Sequence, residues 1–166
     1  MQCTVLVSNG AQDELRKSIV QILGGKKNFW RVRIFTQNFS NAKLNGRLTL
    51  KEIIKSLKSL GAIVTVVVGS KPRENDIEFY EELLDEGVQI YYNDKVHAKL
   101  ILAEAKDGKN VALVMSANLT NTGLRYKYEV GVHLSYLEDK VYKKLRAYTS
   151  QIIGAPIKTK PIEWVM

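Results

Sequence analysis

The chain has 166 residues, 45% hydrophobic and 25% charged, which suits one domain with its own core and excludes a disordered or fibrous polymer. With 25 Lys and Arg against 17 Asp and Glu the formal charge is +8; this favours an anionic partner, nucleic acid or acidic lipid headgroups, although a solvated basic surface gives the same balance. Cys3 is the only cysteine, which excludes an intrachain disulfide or a cysteine zinc site and reads as a buried strand residue; with no leader-like N-terminus and no apolar run near the roughly 18 residues of a spanning helix, a soluble cytoplasmic protein is expected.

Thr4 to Val7 reads as a short strand and Ala11 to Leu23 as an amphipathic helix stopped by Gly24 and Gly25. Trp30 to Phe35 is a second strand and Leu50 to Leu60 a helix closed by Gly61. Ala62 to Val68 is a strand so uniformly apolar that both its faces must be covered. Asn75 or Asp76 caps a helix running to about Glu86, with Gly87 as its stop and Val88 to Tyr91 as the next strand. The rhythm then changes. Val96 to Glu104 and Val111 to Met115 flank Asp107-Gly108, a strong hairpin signal. Tyr128 to Leu134 reads as a strand and Leu137 to Ile152 as a closing helix; Pro156 and Pro161 make the remainder a docked or mobile tail. The implied fold is α/β: a mixed sheet, parallel early and antiparallel late, sandwiched between helices.

Residues two apart on a strand share a face, so His97 and Lys99 present an imidazole beside an ammonium, and Ser116 and Asn118 do the same one strand later. Centring the hairpin on Asp107-Gly108 sets Asn118 opposite His97 and Ser116 opposite Lys99. Such a cluster suits a phosphodiester: imidazole attacks phosphorus or delivers a proton, while ammonium and amide donors hold the non-bridging oxygens. Each residue alone has a plainer reading, His97 as a core histidine and Ser116 and Asn118 as turn residues, but an unpaired lysine is costly to bury beside them. His133 reads as structural. Lys140, Lys143, Lys144 and Arg146 fit a solvated helix face, and Lys26, Lys27, Arg31 and Arg33 read likewise as solvated, the alternative being that these groups flank a cleft and neutralise a nucleic-acid backbone. Tyr91, Tyr92 and Tyr126 could stack on bases or simply line a sheet edge.

His97-Ala98-Lys99, followed by Ser116-Ala117-Asn118-Leu119-Thr120 and Tyr128-Glu129-Val130-Gly131-Val132, resembles the HKD signature of the phospholipase D superfamily, and most of all its small single-motif nucleases. Two positions depart from that signature. Glu104 stands where the family has aspartate, and Met115 where it has the glycine before the serine, with a longer connection between them. Glu104 lies on the opposite face, about 23 Å along an extended strand from His97, so no direct catalytic role is expected of it.

The resemblance implies a phospholipase D-like catalytic domain over residues 1–154 and a tail over 155–166. It implies a homodimer, because each active site needs two motifs and this chain carries one. One His97 attacks phosphorus to form a phosphohistidine while the other protonates the leaving oxygen, and neither metal nor cofactor takes part. Lys99 and Asn118 hold the phosphate, Ser116 supports them, Glu129 orients the histidine ring, and Tyr126 is a candidate substrate contact. Two coupled imidazoles imply an activity maximum at mildly acidic to neutral pH. The leading expectation is an endonuclease acting on DNA or RNA. A lipid phosphodiesterase, disfavoured by the lack of a membrane-binding apolar stretch, and a catalytically decayed nucleic-acid-binding dimer remain as alternatives.

Overall fold

Apolar runs and amphipathic stretches alternate along the chain, and strands and helices follow them. β1 (Gln2–Ser8) leads to α1 (Glu14–Leu23), then β2 (Phe29–Thr36), a small ribbon of β3 (Lys43–Asn45) and β4 (Leu48–Thr49), and α2 (Leu50–Ser59). β5 (Ile63–Val68), a 3-10 turn at Glu74–Asp76, α3 (Ile77–Asp85) and β6 (Gln89–Tyr92) follow. The second half contains β7 (Leu100–Ala105), β8 (Val111–Met115), α4 (Asn121–Arg125), β9 (Glu129–Ser135), α5 (Asp139–Ile153) and β10 (Lys160–Pro161). The computed structural model describes residues 1–9, 12–24, 28–155 and 158–166. Ala11, Gly25, Lys26, Lys27 and Pro156, each given a part in the sequence reading, lie outside the described residues.

α2 shows how local chemistry sets an element. Thr49 and Glu52 form a reciprocal capping box, and Leu50, Ile53, Ile54 and Leu57 recur at helical spacing and are buried on one face. Gly61 then reverses the chain at φ +86, a conformation that costs a side-chain-bearing residue.

Eight strands form one sheet in the order β1-β9-β8-β7-β2-β5-β6-β10. β2, β5 and β6 run parallel and the remaining pairs are antiparallel, so the sheet is mixed, as the sequence implies. One face carries α1, α2 and α3 over the large core of Leu15, Ile19, Ile34, Ile54, Val66 and Ile101. The other carries α5, whose Tyr142, Leu145 and Ile152 pack on Phe35, Val67, Leu100 and Leu102. A helix about 10 Å wide cannot cover eight strands spaced about 4.8 Å apart. The β1-β9-β8 end of that face is therefore bare: Val5 is 64%, Val130 50% and Val114 43% exposed. Cys3 sits on the same strip and is exposed. The expectation of a buried Cys3 is corrected, because β1 is an edge strand covered on one face only.

α5 is tied down by polar chemistry beneath it. Glu104 is fully buried and accepts from both Arg31 (Nη2 to Oε1, 2.7 Å, with a shorter bond from Nε) and the Tyr142 hydroxyl (2.5 Å). Arg33 donates to Thr149 Oγ1 at 2.6 Å and to the Arg146 carbonyl at 3.2 Å. Burial alone would raise the Glu104 pKa, but the Arg31 and Tyr142 hydrogen bonds and the two guanidinium charges hold it below the usual carboxylate value. The solvated reading of Arg31 and Arg33 is thus overturned, Arg33 being only 6% exposed. Lys140, Lys143, Lys144 and Arg146 do lie on exposed turns of α5.

The β7–β8 hairpin corrects a further expectation. Leu100 pairs with Val114 and Ala103 with Val111, one residue out of the register that a two-residue Asp107-Gly108 turn would impose. Asn110 is the cause. Its Oδ1 accepts from the Ala105 N–H at 3.0 Å, and Gly108 takes φ +76 in a longer loop. The chain end is docked: β10 pairs with β6, and Ile162 is fully buried.

Candidate active site

The slipped register changes how the site is assembled. Lys99 now faces Met115, whose N–H donates to the Lys99 carbonyl at 3.0 Å, and β7 starts only at Leu100. His97, Ala98 and Lys99 form the irregular approach to the strand. Ser116 has left the β7 ladder, and its N–H donates to the Val130 carbonyl at 2.9 Å. The expected oppositions of His97 with Asn118 and of Lys99 with Ser116 are therefore not found.

His97 meets Lys99, and Ser116 meets Glu129, while Asn118 is held apart from His97, Lys99 and Ser116 on the wall of a different cavity. Lys99 Nζ lies 3.2 Å from His97 Nδ1 and 3.5 Å from Nε2. Lys99 is only 8% exposed while His97 is exposed, so the ammonium is held beneath an accessible imidazole. Burial lowers the Lys99 pKa from the ordinary lysine value, and the Glu129 charge partly opposes that shift. Ser116 Oγ donates to Glu129 Oε2 in a short hydrogen bond and accepts from the Val130 N–H at 3.0 Å. Glu129 thus engages Ser116 and the field of Lys99, while the ring nitrogens of His97 face Lys99. His97, Lys99 and Ser116 line one open cavity of about 480 Å³ with Val114, Leu145 and Tyr148.

Asn118 is fixed from the β2 side. Its Oδ1 accepts from the Asn38 N–H at 3.1 Å and lies 3.3 Å from the Thr36 hydroxyl, which also accepts from the Leu119 N–H at 3.2 Å. With the carbonyl end held, the amide NH₂ is the end left to a ligand. Two glycines make these approaches possible. A Cβ on Gly123 would lie 2.4 Å from the Asn118 carbonyl oxygen, and one on Gly69 would lie 1.9 Å from the Val96 carbonyl oxygen, next to His97. Thr36, Asn38, Gly69 and Gly123 were not singled out from sequence; the available signal was polar residues just past the end of an apolar strand, where sites gather in parallel sheets.

Asn118 and Glu129 line a second, polar cavity of about 240 Å³. Tyr126 lines neither cavity; it is 70% exposed, with the Arg125 guanidinium 5.5 Å from its ring centre. Tyr91 and Tyr92 are half-buried and pair with the docked chain end. Among the described residues, no three His, Cys, Asp or Glu side chains are grouped as metal ligands would be, and no helix is long and apolar enough to cross a membrane.

Solved structures share this architecture. The phospholipase D family member Nuc from Salmonella typhimurium superposes with a TM-score of 0.72 at 13% identity, covering 96% of this chain and 97% of its own. NucT from Helicobacter pylori gives 0.66 at 17%, covering 92% and 95%. Phosphatidylserine synthase from Haemophilus influenzae gives 0.68 at 16%, where 99% of this chain matches 41% of the longer one. The fold is that of a phospholipase D-like α/β domain. A sequence model described as "Cardiolipin synthase, PLD-like domain" matches residues 26–153, and the chain belongs to that family, within the phospholipase D superfamily of phosphodiesterases. No curated protein matches the chain.

Proposed function

We propose that the protein is a metal-independent endonuclease whose active site is completed by a second copy of the chain. The observation that carries this reading is the Lys99 ammonium, 8% exposed and 3.2 Å from an accessible His97 ring. A buried cation without a carboxylate in direct contact is costly, and a phosphoryl oxygen is the partner that would relieve it. A phosphate accepting from Lys99 and from the Asn118 amide would draw the ammonium off the ring and leave an imidazole nitrogen facing phosphorus.

In the proposed reaction His97 forms an N–P bond as the P–O bond to the leaving strand breaks, and the partner's His97 gives its proton to that oxygen. Water then attacks phosphorus, loses its proton to the same imidazole, and the N–P bond breaks. Ser116 and Glu129 position the pair through their mutual hydrogen bond and the Glu129 field at Lys99.

The bare valine strip supports a second copy. Val5, Val132 and Val114 are adjacent across β1, β9 and β8, and Val114 also lines the His97 cavity. An apolar surface that begins at half a site suits a partner carrying the other half. The same apolar cavity wall favours a second reading, hydrolysis of a phospholipid diester, in which Leu145 and Tyr148 would meet an acyl chain.

One assay separates these readings. Labelled single- and double-stranded DNA, RNA and phosphatidylcholine are incubated with the protein in EDTA, beside His97→Ala. The expected result is nucleic-acid cleavage that EDTA spares and His97→Ala abolishes. Cleavage that needs a divalent metal or survives the substitution contradicts the mechanism, and turnover of phosphatidylcholine alone selects the second reading.

A further inference from the structure

The polar cavity lined by Asn118 and Glu129 is joined to the His97 cavity by the Ser116–Glu129 hydrogen bond, Glu129 lining the one and Ser116 the other. Its walls are the loops that follow β2, β5 and β8. They bring together three cations far apart in sequence: Lys71 and Arg73 after β5, and Lys127 before β9. All three are exposed, and none of the ion pairs among the described residues uses them.

The cavity's two carboxylates offset this charge only in part. Glu129 is engaged by Ser116. Asp76 is half-buried; burial raises its pKa, and the Arg73 charge opposes that rise. Most of the remaining lining is hydroxyl, amide or backbone, including Ser70, Thr120 and Thr122. Phe39 and Tyr80 also line the cavity but are 4% and 1% exposed, so they add almost no apolar surface.

This wall has cations and neutral donors but no slot for an acyl chain. It suits a hydrophilic polyanion that runs on from the reacting phosphate. We infer that the groove formed by Lys71, Arg73 and Lys127 binds a neighbouring phosphate of the same nucleic-acid strand while the scissile one sits at His97 and Lys99. The inference rests on the nuclease reading above. It adds that the substrate is a polynucleotide held at more than one phosphate and that recognition here follows the backbone rather than the bases.

The test uses the full chain with Lys71→Gln, Arg73→Gln and Lys127→Gln combined; the three side chains are exposed, and a thermal melt confirms folding. Two substrates are compared, a fluorescent oligonucleotide and bis(p-nitrophenyl) phosphate, a diester with a single phosphate. The ratio of their kcat/KM values is expected to fall about tenfold in the variant. The slope of log binding constant against log salt, read by fluorescence anisotropy, should shrink by about 0.7 for each single-strand phosphate that is no longer neutralised. A ratio within twofold of the unsubstituted protein together with an unchanged salt slope overturns the inference. So does a variant that keeps oligonucleotide binding and loses binding to phosphatidylglycerol vesicles instead. Repeating the anisotropy in a His97→Ala background separates the two claims: strand binding that persists there and falls with the triple substitution upholds the groove even if no cleavage is ever seen.

Discussion

Lys99 carries most of the chemistry of the proposed site. Its folded pKa is below the ordinary lysine value because burial penalises the charge. Between the folded and the ordinary value the folded chain binds fewer protons than the unfolded one, so stability rises with pH across that window. Lys99→Met removes the buried charge. The expected outcome is a melting temperature at neutral pH at or above that of the parent, loss of that part of the alkaline rise in stability, and a fall in kcat/KM of roughly 10²–10³ from the missing phosphate donor. Calorimetry across pH beside nuclease kinetics checks this; a variant that melts lower yet cleaves normally would make Lys99 a packing residue. His97 with Lys99, and Ser116 with Asn118, were legible as site candidates because each pair stands two apart on one predicted strand face, whereas Glu129 was a candidate only through the resemblance. Thr36 and Asn38, which hold Asn118 in place, were not, because their contact spans about eighty residues of chain.

At the scale of elements, the strands from Trp30 to Val68 and the helix at Leu50 were legible to within a residue or two because period and caps agree there. The β3–β4 ribbon and the five-residue α4 were missed, being too short to show a period. The hairpin register slipped because Asp-Gly was given the turn while Asn110 supplied the bond that lengthened it. Register between β2 and β7 had no turn to fix it at all, so the Arg31–Glu104 pairing across those strands could not be foreseen. That pair yields a test. Arg31→Met takes the bidentate partner from a buried carboxylate that keeps only Tyr142 and, at 4.0 Å, Arg33, and should cost about 3–5 kcal/mol in urea melts. Adding Glu104→Met should recover only part of that cost, because it leaves the buried Arg33 without its carboxylate. In the parent, the Glu104 contribution is present above the ordinary carboxylate pKa and is lost as pH falls through its lowered value. A cost below about 1 kcal/mol for Arg31→Met would show the network to be incidental.

For the whole molecule, the bare β1-β9-β8 face and the proposed half-site at its rim would both be completed by the same second copy. The mixed sandwich was legible from the order of elements, but the exposure of Cys3 and the valine strip was not, because sequence does not say how far α5 reaches across the sheet. If a second copy covers the strip, Val130→Lys should yield a monomer by analytical ultracentrifugation and lose cleavage with it, without loss of fold. Cleavage by a species that sediments as a monomer would remove the need for a partner.

The proposed shared site is tested most directly by trapping the covalent state it would pass through. Protein quenched in alkaline denaturant during turnover of a labelled oligonucleotide and examined by intact mass and peptide mapping should carry the label on His97. Its occupancy should be at most one per two chains, and it should be lost on acid treatment as a phosphoramidate is. Label on another residue, label on both chains at once, or continued cleavage with no adduct under a quench that preserves phosphohistidine would contradict the account.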